Sequence, residues 1–151
     1  MKNTTVDGFN INENLSYLLT RVVRASINRL QKSFVAAEQD VTVEQWMLLV
    51  LLWIRDGQHQ QQLADTLGKD RTTVTRLIDG LEKQNLLIRT PDTESQRQKL
   101  IYLTYKGREL EQTLMPLEYE NTLRQEFDIA AEDLAICKKV LKKVFDNLSE
   151  E

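Results

Sequence analysis

The spacing of hydrophobic residues predicts a mainly helical chain interrupted by one short β-hairpin. Apolar side chains recur at helical spacing in six segments, residues 11–34, 43–55, 60–67, 70–87, 104–127 and 131–148. Between the fourth and fifth segments, residues 87–90 and 99–104 are rich in β-forming side chains, and the polar turn between them begins with Pro91. We therefore expect a mainly α fold with a small two- to three-stranded β-sheet.

Residues 70–87 carry the most informative pattern. On a helix, the apolar side chains gather on one side: Val74, Leu77, Ile78 and Leu81. The opposite side carries Thr72, Thr75, Arg76, Asp79 and Lys83. Apart from Asp79, this outer face consists of hydroxyls and cations, which can bind phosphates and read base edges. The pattern predicts a helix that contacts DNA.

A shorter helix precedes this segment and a hairpin follows it. Residues 60–67 end at Gly68, which suits a left-handed turn, and Asp70 can cap the next helix. This is helix-turn-helix spacing, although many helical hairpins share it. The hairpin adds specificity because Arg97 in its turn and Lys99 beside it can reach a neighbouring groove of DNA. We interpret residues 42–104 as a winged helix-turn-helix lobe.

The helices outside this lobe are predicted to join two copies of the chain. A helix over residues 11–34 would span about 35 Å, more than a small monomer needs. Residues 131–148 place apolar side chains at heptad spacing: Leu134, Cys137, Leu141, Val144 and Leu148. Pro116 predicts a kink in the helix at 104–127. We expect one unit over residues 1–151, with long dimerisation helices in 1–38 and 108–151.

The helix at residues 43–55 is expected to be the buried centre of the lobe, because it is apolar on nearly every face. Thr42 and Gln45 have the spacing of a capping box at its start. Trp46 and Trp53 on this helix either line a ligand crevice or pack in the core. Core packing explains both tryptophans as well as a ligand crevice does.

The charge distribution supports nucleic-acid binding although the net charge is −3. Residues 69–108 hold nine Lys and Arg against five Asp and Glu, a local charge of +4. Residues 109–151 are acidic, with five basic and eleven acidic side chains. The one basic region coincides with the predicted reading unit, as steering of a polyanion requires. A randomly uneven solvated surface is the alternative.

Composition excludes several other classes of protein. One Cys and one His leave no internal disulfide, and little material for a metal or catalytic cluster. No nucleophile–base pair, metal-ligand spacing or phosphate-binding glycine loop occurs, so we expect neither an enzyme nor a cofactor. The longest apolar run, residues 46–54, is too short to span a membrane, and the N-terminus lacks a signal-peptide core. We expect a cytoplasmic protein without membrane contact.

A recognisable motif runs through the predicted lobe. It comprises residues 61–65, 67–78 and 81–87, then Arg89, Asp92 and Arg97, and finally residues 103–104 and 106–107. In these residues the sequence resembles the MarR (multiple antibiotic resistance regulator) family of bacterial transcription factors. The resemblance implies a homodimer whose terminal helices interlock, with one winged helix-turn-helix per subunit. It also implies a regulator, which we expect to be a repressor, that binds double-stranded DNA at a pseudo-palindromic operator. A small phenolic or amphipathic ligand would release the DNA.

The expected DNA contacts lie on the two helices and the wing: Gln60, Gln61, Arg71, Thr72, Thr73, Thr75, Arg76, Arg97 and Lys99. Asp79 is expected to pair with Lys83 at i,i+4, because phosphates repel a carboxylate. Where the family usually carries Asp-Arg-Arg, this chain has Ser95, Gln96 and Arg97. Arg97 retains the minor-groove arginine, and Asp92 is expected to brace the wing from another position. Asn85 stands where the family usually has a glycine at the end of the recognition helix. Asparagine also tolerates the left-handed conformation that this position needs.

A second hypothesis is a helical ligand-binding or protein-interaction module that keeps the fold without binding DNA. It fits the acidic average charge and the altered wing, but it does not explain the cations and threonines on one helix face. For Cys137, a buried structural thiol is favoured over a redox switch because the residue occupies an apolar heptad position. His59 is expected to be a surface loop residue.

Overall fold

A computed structural model describes residues 5–93 and 99–149 of the chain. The fold is mainly helical, as predicted. Its elements in chain order are β1 (Thr5–Val6), β2 (Phe9–Asn10), α1 (Leu15–Ala36), α2 (Val43–Ile54), β3 (Gln58–His59), α3 (Gln60–Leu67), α4 (Arg71–Lys83), β4 (Leu87–Pro91), β5 (Lys99–Leu103), α5 (Tyr105–Glu109), α6 (Glu111–Gln125) and α7 (Ala131–Ser149). Arg97 and the rest of residues 94–98 lie outside the described residues.

The hydrophobic core lies where α2, α3 and α4 meet the sheet. Its fully buried side chains come from each of these elements and from α1 and α6: Phe34, Leu48, Leu49, Leu52, Leu63, Val74, Ile78, Leu81, Leu87, Ile101 and Leu114. The four apolar side chains predicted on the inner face of α4 are all buried. However, α2 is not buried on every side, because Met47 is 42% and Ile54 77% exposed. The prediction of an entirely buried central helix is wrong on that side.

Local capping fixes the start of α2 as predicted. The Oγ1 of Thr42 accepts a hydrogen bond from the backbone N–H of Gln45 at 3.1 Å. The Oε1 of Gln45 accepts one from the backbone N–H of Thr42 at 3.0 Å. These reciprocal bonds satisfy two N–H groups that the helix leaves unpaired.

The turn between α3 and α4 also follows from local chemistry. Gly68 takes a φ of +61°, the left-handed conformation that ends α3. Two residues later, Asp70 caps α4, and its Oδ1 accepts a bond from the backbone N–H of Thr73 at 2.8 Å. Hydrogen bonds from the backbone and side chain of Thr73 hold the pKa of Asp70 below its usual range. A carboxylate at this position also complements the positive end of the helix dipole.

The end of α4 is fastened to the segment after the wing. Asn85 adopts a φ of +58°, as expected for the residue that replaces glycine. The N–H of Leu86 then donates to the carbonyl of Leu81 at 3.0 Å, which closes the helix end. From the far side of the wing, Thr104 Oγ1 donates to the Asn85 carbonyl at 2.7 Å, and Lys106 Nζ donates to that of Gln84 at 3.0 Å. Both ends of the wing are therefore attached at one place.

The sheet has three antiparallel strands in the order β3–β5–β4. The wing hairpin is β4 and β5, and its register places Arg89 opposite Ile101 and Pro91 opposite Lys99. The short third strand, β3, pairs Gln58 with Ile101. Gln58 is buried, and its amide donates to the carbonyls of α2, at 2.8 Å for Leu51. Residues 58–59 had no strand pattern, because a two-residue strand has no periodicity to detect.

The helix predicted over residues 104–127 is divided into α5 and α6 at Leu110, while Pro116 lies inside α6. The carbonyl of Gly107 accepts a hydrogen bond from the indole Nε1 of Trp53 at 2.9 Å. In a continuous helix that carbonyl would accept from residue 111. The observed interruption is therefore six residues before the expected kink, and Trp53 supplies its physical cause.

The terminal helices leave much apolar surface uncovered in one chain. Helix α1 packs along α6, yet α1 exposes Leu18, Val22, Val23 and Ile27. No residue of α7 is buried, and Cys137 is exposed, so the expected buried thiol is not found within one chain. An unpredicted hairpin, β1–β2, precedes α1 through a turn at Asp7 and Gly8, both at positive φ. None of the described helices has both the length and the apolar character needed to cross a membrane.

Candidate nucleic-acid interface

The outer face of α4 presents two side chains that no other group in the described residues engages. Thr72 and Arg76 are both exposed and lie one turn apart on the helix. No hydrogen bond or ion pair of either side chain occurs within residues 5–93 and 99–149. Lys83, on the same face, is also exposed. The hydroxyl and the guanidinium are thus free to bind an external partner.

The other two threonines of the helix are already hydrogen-bonded within the chain. Thr73 Oγ1 donates to Asp70 Oδ2 at 2.7 Å and so belongs to the helix cap. Thr75 Oγ1 donates to the carbonyl of Arg71 at 2.9 Å. A hydroxyl retains acceptor capacity after it donates, so both groups can accept one further bond.

The two predicted glutamines of α3 differ in their environment. Gln60 lies against α4, and its Nε2 donates to Thr75 Oγ1 at 2.5 Å and to the Arg71 carbonyl at 3.4 Å. It therefore links the two helices of the motif. Gln61 is exposed and donates to Asp65 Oδ1 on its own helix at 2.7 Å. Their contacts with phosphate remain predictions, as do those of Arg71 and Lys99, which are exposed at the starts of α4 and β5.

A guanidinium from the wing holds the carboxylates of α4. Arg89 on β4 places its Nη2 2.5 Å from Asp79 Oδ1, and its Nη1 pairs with Glu82 Oε2. The prediction that Asp79 pairs with Lys83 is wrong. Arg89 is the partner of Asp79 in place of Lys83, because its planar guanidinium pairs with two carboxylates at once and its side chain is only 16% exposed. A sequence window over α4 contains no sign of this partner from another element.

Asp92 is attached to the start of the helix-turn-helix. Its Oδ2 lies 3.3 Å from Nε2 of His59, the residue that precedes α3. The Asp92 side chain is the more buried partner, and His59 is half-buried and not in a loop. Asp92 was expected to brace the wing, but His59 as its partner was missed because 33 residues separate them. The bracing role itself remains a prediction.

Comparison with known proteins identifies the lobe that carries these contacts. Residues 41–99 match the model of the MarR family. A relative from Bacillus subtilis, described as an uncharacterized HTH-type transcriptional regulator, YybA, is 34% identical over 71 residues, 47% of each chain. The chain spans about half or less of the length of the curated relatives that are 34% identical to it. Residues 41–99 therefore form a MarR-family lobe.

Solved structures similar to this chain cover nearly its whole length. CouR from Rhodococcus jostii RHA1, bound to p-coumaroyl-CoA, is 25% identical with a TM-score of 0.76 and covers 89% of this chain and 93% of its own. A MarR-family regulator from Listeria monocytogenes, in complex with a 26mer DNA, is 24% identical with a TM-score of 0.81 over 90% and 89%. The second likeness establishes the fold alone. The family and the named relatives are transcriptional regulators, in agreement with the prediction that the chain is not an enzyme.

Trp46 and Trp53 differ in their hydrogen bonding. Both are half-buried and pack against the core. The Trp53 indole is bound to Gly107, whereas the buried Nε1 of Trp46 has no hydrogen-bond partner among the described residues. Trp46 also packs edge-on against Phe34, with ring centroids 6.3 Å apart. Their role in a ligand crevice remains a prediction. No group of His, Cys, Asp and Glu in the described ranges is arranged to hold a metal ion.

Proposed function

We propose that this chain is a sequence-specific DNA-binding transcriptional regulator that acts as a repressor and binds a pseudo-palindromic operator as a homodimer. The observation that carries the proposal is the outer face of α4, where Thr72 and Arg76 are exposed and unengaged within the described residues. A helix of this kind inserts into the major groove, where side chains read base edges. DNA-binding contacts are proposed for Gln60, Gln61, Arg71, Thr72, Thr73, Thr75, Arg76, Arg97 and Lys99.

The environment of α4 supports this assignment. Its buried side fixes the helix in the core, and Asp70 and Asn85 cap its two ends. Its carboxylates, Asp79 and Glu82, are neutralised by Arg89, which lowers their repulsion of phosphate. The Listeria regulator with the same fold binds a 26mer DNA. A rigid helix with a free cationic face suits the same task here.

A second copy of the chain is proposed to cover the terminal helices. In one chain, α7 buries none of its residues, and its apolar side chains are exposed: Ile136, Val140, Leu141, Phe145 and Leu148. Helix α1 exposes apolar side chains as well. Exposed apolar faces of this kind mark protein interfaces. In the dimer the two α4 helices should lie about 34–36 Å apart, one turn of DNA.

The regulator is proposed to respond to a small phenolic or amphipathic ligand. CouR, which shares the fold, binds p-coumaroyl-CoA. In this chain the buried indole N–H of Trp46 has no hydrogen-bond partner among the described residues, so a crevice that opened beside it would expose a donor. A ligand hydroxyl or carbonyl could accept that bond while its ring packs against apolar side chains. Trp46 is therefore a better candidate than Trp53, whose N–H is occupied.

Electrophoretic shift with DNA from upstream of the protein's own gene tests the DNA-binding function. The expected result is a shift that resists competitor DNA. A separate mass measurement of the free protein in solution should give twice 17.6 kDa. Absence of a shift with both this DNA and a random pool would favour the interaction-module hypothesis instead. A regulator of this kind would act in the cytoplasm, where its operator lies.

A further inference from the structure

Besides the bonds at its base, the wing is linked to α4 by the side chain of Arg89. Its guanidinium contacts Asp79 and Glu82, which are three residues apart and therefore on one face of the helix. The carboxylates are about half-exposed, whereas the arginine side chain is 16% exposed. The charge that joins the two elements is thus largely shielded from water, which strengthens its interactions.

The core holds α4 without this contact, whereas β4 is held by its pairing with β5, whose Ile101 is fully buried, and by Arg89. Val74, Ile78 and Leu81 anchor α4 in the core with no exposed surface. Strand β4 is buried only at its root, Leu87, and the next side chain, Ile88, is 46% exposed. Beyond the root, Arg89 is the side chain of β4 that forms ion pairs with α4 among the described residues.

We infer that Arg89 is a positioning residue that sets the wing against α4, so that both reach DNA together. The inference rests on the proposed function, because it assigns a role within DNA binding. Arg89 acts through Asp79 and Glu82 and does not itself contact DNA. Breaking the link should leave the major-groove contacts of α4 in place and remove the contacts that the wing makes on the flanks of each half-site.

Hydroxyl-radical footprinting of the full-length protein tests this inference. The probe is a duplex that the wild-type protein enriches from a random-sequence pool. Arg89→Gln removes the cation, whereas the double variant Asp79→Ala with Glu82→Ala removes its partners and keeps the arginine. Glu44→Gln is the matched control, since it breaks the 2.9 Å pair with Lys69 in the same lobe without touching the wing.

We expect both test variants to lose protection at the flanks and to retain it at the centre of each half-site. Arg89→Gln should weaken binding by about tenfold, and more than the double variant does, because it exposes two unpaired carboxylates to DNA. Glu44→Gln should retain the whole footprint. The double variant places Ala in a helix, where it is the best-tolerated residue, so it keeps the test decisive if Arg89→Gln folds poorly.

Three results would overturn the inference while the proposed function stands. Flank protection could persist in both variants, which would mean that the link does not position the wing. It could be lost only in Arg89→Gln, which would assign Arg89 a direct DNA contact. Uniform loss of protection with a lowered thermal midpoint would indicate a merely structural role. If the wild-type protein enriches no duplex, the proposed function fails and the inference fails with it.

Discussion

The indole Nε1 of Trp53 and the carbonyl oxygen of Gly107 lie 2.9 Å apart and join α2 to α5. The residues are 54 positions apart in sequence. The bond removes the Gly107 carbonyl from the helical hydrogen-bond pattern, and the interruption between α5 and α6 follows.

Replacing Trp53 with Phe should lower the free energy of unfolding by about 1–2 kcal/mol. The aromatic ring would remain packed, but the Gly107 carbonyl would lose its donor. Urea denaturation followed by circular dichroism measures the change. Trp46→Phe is the control, because the Trp46 indole has no hydrogen-bond partner among the described residues, and it should cost less. Equal losses for the two variants would contradict the role assigned to the bond.

Gly107→Ala should be strongly destabilising, by about 3 kcal/mol. A Cβ at this position would lie 2.0 Å from the backbone oxygen of Leu86, which cannot move without distorting the sheet. Gly80→Ala is the matched control. Its Cβ would meet only the end of the flexible Gln45 side chain, and alanine favours the helix. Thermal unfolding should separate the two variants clearly, and comparable midpoints would refute the argument from close packing.

Asp70→Ala should reduce stability near neutral pH and have little effect in acid. The pKa of Asp70 is lowered in the folded chain by its bonds from Thr73, so the cap contributes fully above about pH 4. Its contribution is lost as the pH falls through that lowered value. Unfolding curves measured between neutral and acidic pH should therefore converge for wild type and variant. Asp70→Asn caps without titrating, and its difference from wild type should shrink or reverse in acid.

Arg76→Ala should weaken binding to the operator and lower the salt dependence of the binding constant. If Arg76 contacts one phosphate, the slope against salt concentration falls by about one. Fluorescence anisotropy in a salt series measures both quantities. Lys142→Ala on α7 removes the same charge far from the predicted interface and should leave the slope unchanged. A wild-type slope in Arg76→Ala would exclude this arginine from phosphate contact.

Local signals in the sequence predicted local structure accurately. Thr42 and Gln45 form their capping box, Gly68 and Asn85 take left-handed conformations, and the apolar face of α4 is buried. Each of these features depends on residues within one turn of each other. A window of sequence therefore contains all the information that determines them.

Contacts between distant elements were not predictable in this way. Asp79 has a cation four residues away in Lys83, yet it binds Arg89, because the wing folds back against α4. His59 meets Asp92 for the same reason. The division of the helix at Leu110 depends on Trp53, which no pattern around Pro116 could reveal. The exposure of Cys137 in one chain was also missed, because heptad spacing predicts an apolar helix face but not what covers it.

The joint at the end of α4 has a consequence for how such a regulator diversifies. Thr104 and Lys106 bind the carbonyls of Asn85 and Gln84, so the wing leaves and returns at one fixed point. A loop closed at its base transmits little of its own variation to the element that holds it. In the proposed DNA complex, substitutions or insertions between β4 and β5 would therefore change recognition of flanking DNA without altering the bases that α4 reads, and the two parts of the specificity could evolve separately.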